Sequence, residues 1–259
     1  MVIIILRFSG IPVTYADFRS STTMIEKTPL DTIDNYKAYV EHYMSGEEKA
    51  KLSKLKSDQS GQIKSDMLWA RIILKKIFAE QENVSLSNLK QIEILNSKSD
   101  DILGHPLLFY RGRRQNKFLS ISHYDGAVGV SFSSSPCGID IVKSFTAFPE
   151  KSFIEYALTP NEQRRLYSIN TPQDRLRWIN LVWGIKEAIS KYLGCGLRYG
   201  PRTINIEYMP NETLLNFSAH PGIKLYHPSL NECISVRYYW DIRQTYFYIY
   251  VSQTEKRRA

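Results

Sequence analysis

Two short stretches carry side chains able to do chemistry together. In Trp183–Leu197, WGIKEAISKYLGCGL, Glu187 and Lys191 stand four positions apart, so at about 100° per residue they stack on one helix face. The stripe Trp178, Leu181, Val182, Ile185 and Ile189 takes the other face. Upstream, CGIDIV at 137–142 places Asp140 between Ile139 and Ile141. That pattern reads as a short buried strand with one carboxylate pointing the other way, and a carboxylate there needs a partner. A divalent cation is a natural one, because Mg²⁺ takes a few carboxylate oxygens and completes its shell with water and substrate phosphates. One Asp from a strand, one Glu from a helix and an ammonium beside them suit chemistry on a phosphate. Taken alone, each piece has a plainer reading. An i,i+4 pair is usually a solvated salt bridge worth roughly tenths of a kcal/mol, and a lone strand Asp can be satisfied by backbone amides or an Arg.

The elements that must position these groups are visible in outline. Thr171 can cap a helix that Pro172 begins and Gly194 and Gly196 end. Ile63, Met67, Ala70, Leu74, Ile77 and Phe78 define an earlier amphipathic helix. The preceding EEKAKLSKLK reads as another helix with Lys49, Lys51, Lys54 and Lys56 projecting, the usual solvated fate of lysine. Arg71 can snorkel from the core edge. MVIIILRF at the start reads as a first strand, strands follow near 117–142, and ECISVRYYW and QTYFYIYVSQ form a strand pair around a turn at 241–243.

The two chemical stretches resemble the paired signatures of the 4′-phosphopantetheinyl transferases, in particular the longer, monomeric branch of surfactin-synthetase-activator-like and aminoadipate-reductase-activating enzymes. The first signature corresponds to Gly138, Ile139, Asp140, Ile141 and Val142. The second corresponds to Trp183, Lys186, Glu187, Ala188, Lys191 and Gly194 to Leu197, and a third, Ile-Ser-His, stands at Ile121, Ser122 and His123. The resemblance runs from about Ser45 to Leu197, weakly at its start and strongly from Leu119.

This resemblance implies an α/β (α+β) fold built as a pseudo-twofold pair of similar subdomains. Residues 1–135 would form the coenzyme A side with its basic helix, and 136–259 would carry the metal and catalytic motifs. It implies transfer of phosphopantetheine from coenzyme A to a serine of an apo acyl or peptidyl carrier protein, with release of adenosine 3′,5′-bisphosphate. Asp140 and Glu187 would hold Mg²⁺, with Mn²⁺ an alternative; Glu187 would take the serine proton, and Lys191 would stabilise charge on the bridging and leaving oxygens. Coenzyme A contacts would fall to Lys49, Lys51, His105, Ser122, His123, Lys186 and Lys191. Two positions depart from the pattern. Val142 stands where many members have a second acid; the aminoadipate type also lacks an acid there, and that place on the metal is left to water. His105, in GHP at 104–106, stands where a Lys is common and is mostly neutral at pH 7.

Thirty-four Lys and Arg against 26 Asp and Glu give a net charge of +8, so the partner is expected to be acidic. Basic residues gather at Arg111 to Lys117 and in the tail EKRRA. An acidic carrier protein, aminoadipate reductase among the candidates, fits such a surface. A nucleic-acid-binding protein is the runner-up, and a catalytically weakened carrier binder is a third reading suggested by Val142 and His105. Zinc spacings and RNA-recognition motifs are missing from the sequence. Three scattered cysteines fit free thiols in the cytoplasm, and the opening apolar run is too short to span a membrane. A cytoplasmic monomer is the expectation.

Overall fold

The structure, a computed structural model, describes residues 2–7, 33–54, 60–99, 104–124, 127–206, 218–223, 225–226, 234–240 and 246–253. Lys56, the side chain of Ile63, the turn at 241–243, Cys233 and the basic tail lie outside the described residues. The chain divides into two compact units. Residues 1–99 with 104–134 form the first, and 100–103 with 135–259 form the second.

The first unit opens on β1 (Val2–Arg7), followed by α1 (Ile33–Tyr43), α2 (Gly46–Ser53) and α3 (Ser60–Gln81). A 3₁₀ turn at Leu86–Gln91 leads into β2 (Ile92–Asn96), β3 (Pro106–Tyr110), β4 (Arg113–Arg114), β5 (Phe118–Tyr124) and β6 (Ala127–Ser133). One antiparallel sheet has the order β1-β6-β5 and another β2-β3-β4. The helix α3 forms because its apolar residues recur at helical spacing. Leu68, Trp69, Ile72, Ile73, Ile77 and Phe78 are buried with Leu119, Val128, Val130 and Phe132 of the sheet in a single core. Fully burying side chains of this size is worth about 1.5–3 kcal/mol each.

The second unit repeats the element order. It runs β7 (Cys137–Lys143), α4 (Lys151–Ala157), α5 (Pro160–Ser168) and α6 (Pro172–Tyr192), then 3₁₀ turns at Gly196–Tyr199 and Pro201–Thr203. The strands β8 (Asn205–Ile206), β9 (Ser218–Ile223), β10 (Leu225–Tyr226), β11 (Ile234–Trp240) and β12 (Tyr246–Gln253) follow. Its main sheet is antiparallel in the order β7-β12-β11-β9, with Asp140 opposite Ile249. Strand β7 therefore stands to β12 and β11 as β1 stands to β6 and β5. The apolar face of α6, including Trp178, Leu181, Val182, Ile185, Ala188 and Ile189, is buried with Val142, Ile249 and Val251. Mixed helix and sheet is thus the fold class, as expected.

Candidate active site

Helix α6 starts where the sequence says it should. Thr171 caps it by accepting from Asp174 N at 3.1 Å, and Pro172 occupies its first turn. Its end is set by Gly194 and Gly196, whose φ values of 74° and 59° lie in the left-handed region that favours glycine. Within this frame every residue of β7 except Lys143 is buried, Asp140 included at 3% exposure.

Gly138 explains how β7 comes so close to α6. A Cβ there would lie 2.0 Å from the Ala188 carbonyl oxygen and 2.7 Å from the Tyr192 nitrogen, distances no side chain tolerates. The glycine lets the strand lie directly against the helix backbone, which brings Asp140, two residues on, to Glu187 and Lys191.

Three of the expected residues meet there. Lys191 Nζ donates to Asp140 Oδ1 at 2.6 Å while keeping 30% of its side chain exposed. Asp140 Oδ2 is buried, and the Glu187 carboxyl stands close enough to the Asp140 carboxyl for each to feel the other's charge. Glu187 is pushed up to about 8, first by burial, then by the charge of Asp140, with Lys191 pulling the other way. Two carboxyl groups held together in this way need either a shared proton or a cation between them. Among the described residues no group of three or more His, Cys, Asp or Glu side chains gathers. The pair suits a hard cation that takes two protein carboxylates and fills the rest of its shell with water and phosphate oxygens. Val142, where the resemblance expects water in place of an acid, is buried in the apolar core.

Lys186 does not go where the resemblance placed it. Expected at coenzyme A, it is fully buried, and Nζ donates to Glu162 Oε2 at 2.6 Å, Ala157 O at 2.9 Å and Pro201 O at 3.1 Å. An ammonium has three protons, so Lys186 has none left for a phosphate. Burial lowers its pKa and Glu162 pulls it back up. Glu162 itself was not anticipated. It sits at the third position of α5 in a reciprocal capping box with Thr159, a pattern that Thr159-x-x-Glu162 announces in the sequence.

The remaining candidates lie in the first unit. His123 is exposed, and its Nδ1 stands 3.7 Å from Asp66 Oδ2, a buried carboxylate that sequence reasoning missed. Ser122, its neighbour on β5, is buried. His105 is half-buried, and burial and then Arg114 lower its pKa, so the imidazole is mostly neutral at pH 7. Lys49 is committed to Glu41 at 2.6 Å. Lys51, expected to project, is half-buried, and burial and then Arg71 push it down to about 8. Arg71 is buried too and donates to the neutral acceptors Met67 O and Asn96 Oδ1. Lys51 and Arg71 thus form a cationic pair with no carboxylate bonded to either among the described residues.

A strand carboxylate, a helix carboxyl with a raised pKa and an ammonium are thus brought together on the sheet and long helix of the second unit. Residues 136–229 match the family model of the 4′-phosphopantetheinyl transferase superfamily, and this segment holds β7, α6 and all three residues. The match supports phosphopantetheinyl transferase activity, with coenzyme A as substrate and a carrier protein as partner. A search of curated proteins finds no match to the chain. No described helix is long and apolar enough to cross a membrane.

Proposed function

We propose that the chain moves the 4′-phosphopantetheine of coenzyme A onto a serine of an apo acyl or peptidyl carrier domain, releasing adenosine 3′,5′-bisphosphate, in the manner of a holo-acyl-carrier-protein synthase. The observation that carries this is the adjacent Asp140 and Glu187 carboxyl pair, with Lys191 on Asp140 Oδ1. Asp140 and Glu187 would hold Mg²⁺, or Mn²⁺ in its place, which when bound would supply neutralisation of pyrophosphate charge and withdrawal of electrons from the phosphorus under attack. Glu187, directly or through a water, takes the proton of the incoming serine hydroxyl. Lys191, the part-exposed cation of the three, presents its ammonium to the phosphate oxygens as charge builds on them.

The first unit supplies coenzyme A contacts on this reading. Lys51 and the unanticipated Arg71 suit a phosphate dianion, and exposed His123, held by Asp66, donates to another phosphate oxygen. The carrier is acidic and meets the chain's net positive charge, with aminoadipate reductase and lysine biosynthesis the reading that Val142 favours. The enzyme works as a cytoplasmic monomer, in keeping with the free thiols of Cys137 and Cys195.

Intact-mass spectrometry of an apo carrier protein incubated with the chain, coenzyme A and Mg²⁺, with and without chelator, is the test. A chelator-sensitive gain of about 340 Da, one phosphopantetheine, is the expected outcome. Failure to modify any of several carriers, together with salt-sensitive binding to nucleic acid, would sink the reading.

A further inference from the structure

Lys186 and Glu162 form a fully buried ion pair in the second unit, at 0% and 1% side-chain exposure, and Lys186 stands directly before Glu187. Glu162 Oε2 accepts from Lys186 and from Thr159 N at 2.7 Å, while Oε1 accepts from Ile206 N at 2.9 Å. Through Ala157 O and Pro201 O the same ammonium reaches the end of α4 and the 3₁₀ turn after α6. Two separate stretches of chain, 157–162 and 201–206, are therefore tied to one point on α6, and the next residue along the helix is Glu187.

We infer that Lys186 and Glu162 are a positioning pair that fixes the rotation of α6 and so holds Glu187 against Asp140. Apolar burial is non-directional, so a buried ion pair adds a directional restraint to the packing of the helix face. A carboxyl about 6 Å from the helix axis moves about 1 Å for each 10° of rotation, and a misplacement of about 1 Å at a reacting group can cost about 10²-fold in rate. The ammonium, saturated in three directions, opposes that rotation. The first unit contains the same lock, Lys75 Nζ on Glu48 Oε2 and Tyr43 O at 2.6 Å each, with Glu48 Oε1 accepting from Ile94 N at 3.0 Å. There the following residue is Lys76, so that lock orients no acid. The proposal rests on the transferase reading for its effect on rate, and its effect on cation binding can be read separately.

The test uses the full chain with Glu162→Gln and Lys186→Met together, which keeps side-chain volume and leaves no lone buried charge. Circular dichroism first establishes folding. Mn²⁺ affinity, read by electron paramagnetic resonance without coenzyme A, should fall about 10–100-fold, the scale seen when groups behind metal ligands are lost. Coenzyme A affinity, read by calorimetry with chelator present, should stay within about twofold, and kcat should fall about 10²-fold. A folded variant with the parent's Mn²⁺ affinity overturns the proposal, as does one that loses coenzyme A affinity and keeps Mn²⁺. Should the double variant not fold, Glu162→Gln alone, which retains the ammonium, carries the same readouts and must shift Mn²⁺ in the same direction. Glu48→Gln with Lys75→Met is the internal control; an equal loss of Mn²⁺ affinity there would make the effect a general loosening and overturn the inference. If the parent binds Mn²⁺ but modifies no carrier, the transferase reading fails while the Mn²⁺ comparison still judges the pair.

Discussion

In the first unit the residue after the buried lysine is Lys76, and in the second it is Glu187. Up to that point the two units repeat one another closely. Ser45 and Thr159 cap their helices in reciprocal boxes with Glu48 and Glu162; each glutamate takes a buried lysine from the long helix and a backbone N–H from the strand beyond. Each lysine also reaches the carbonyl two residues before the cap, Tyr43 or Ala157. Past the lysines the units diverge, and the divergence is charge reversal. Lys76 and Glu80 stand four apart where the second unit has Glu187 and Lys191, and the strand corresponding to β7 is the wholly aliphatic-to-Arg7 run VIIILR. The scaffold that positions a group on the long helix is common to both. The acids that make the position chemical belong to one.

The sharpest way to break this comparison is to make the second unit as inert as the first. Asp140→Ala or Glu187→Gln is expected to lower turnover by at least about 10³-fold, the upper range for losing one preorganised electrostatic group, while the circular dichroism spectrum stays that of the parent. Either variant retaining parental rates in the carrier-modification assay would remove the mechanism. The shared scaffold predicts a different kind of loss. Lys186→Met and Lys75→Met each strand a buried glutamate, and breaking a buried pair from one side costs about 3–5 kcal/mol. Urea unfolding should show both losses of similar size, and a negligible loss at Lys75 would undo the equivalence of the two locks.

Gly138→Ala probes the approach that only β7 needs for the acid to reach α6. The added methyl meets backbone, not a movable side chain, so strand and helix must separate. An overpacking cost of about 1–3 kcal/mol is expected, together with weaker Mn²⁺ binding because Asp140 retreats from Glu187. Unchanged Mn²⁺ affinity in a folded Gly138→Ala chain would show that the close approach serves packing alone.

The acid pair also gives the two units opposite pH signatures. Glu187 is raised from 4.5 to about 8, so the folded chain keeps a proton that the unfolded chain has lost across that interval. By linkage its contribution to stability is fully present below about 4.5, falls as pH rises through about 8, and then levels. Lys51 is lowered from 10.5 to about 8; the unfolded chain holds more protons between those values, so its contribution rises with pH there. Melting midpoints from pH 5 to 10 with chelator, for the parent, Glu187→Gln and Lys51→Met, should separate the two slopes. Mg²⁺ should flatten the Glu187 limb, since metal binding displaces the proton. A parent and a Glu187→Gln chain with parallel pH profiles would contradict the raised carboxyl.

Much of this site was legible before any coordinates, because its signals are local. Helical spacing puts Glu187 under Lys191, Thr171, Pro172, Gly194 and Gly196 bound the helix, and Ile139 and Ile141 mark Asp140 as a strand residue. What stayed hidden depends on distant partners. Lys186 looks like its neighbours in sequence, and only the fold shows that three acceptors from elsewhere in the unit consume its protons. Val142 likewise reads as a vacancy for water until the core is seen to fill it. The duplication, expected from the resemblance alone, also has a faint trace in the residues. MSGEEKAKL at 44–52 and LTPNEQRRL at 158–166 share the cap, the acid at the third helical position, a base and the closing Leu. Low identity elsewhere conceals the repeat, since a capping box and a buried lysine constrain few positions.

The smallest expected effect separates two lysines that the sequence could not. Lys49 and Lys51 are near neighbours in one basic run, yet Lys49 spends its charge on exposed Glu41, a surface pair worth at most about 1 kcal/mol. Lys51 is half-buried beside Arg71 and bonds to no acid among the described residues. Lys49→Ala is therefore expected to leave coenzyme A affinity within about twofold. Lys51→Ala should weaken it by about tenfold, the order of one charge-assisted hydrogen bond of 1.5–3 kcal/mol, and that loss should shrink as salt is raised. Calorimetry with coenzyme A and with its dephosphorylated form, which lacks the 3′-phosphate, would show which phosphate Lys51 meets. Equal binding by Lys51→Ala and parent would leave the first unit's buried cations to structure alone.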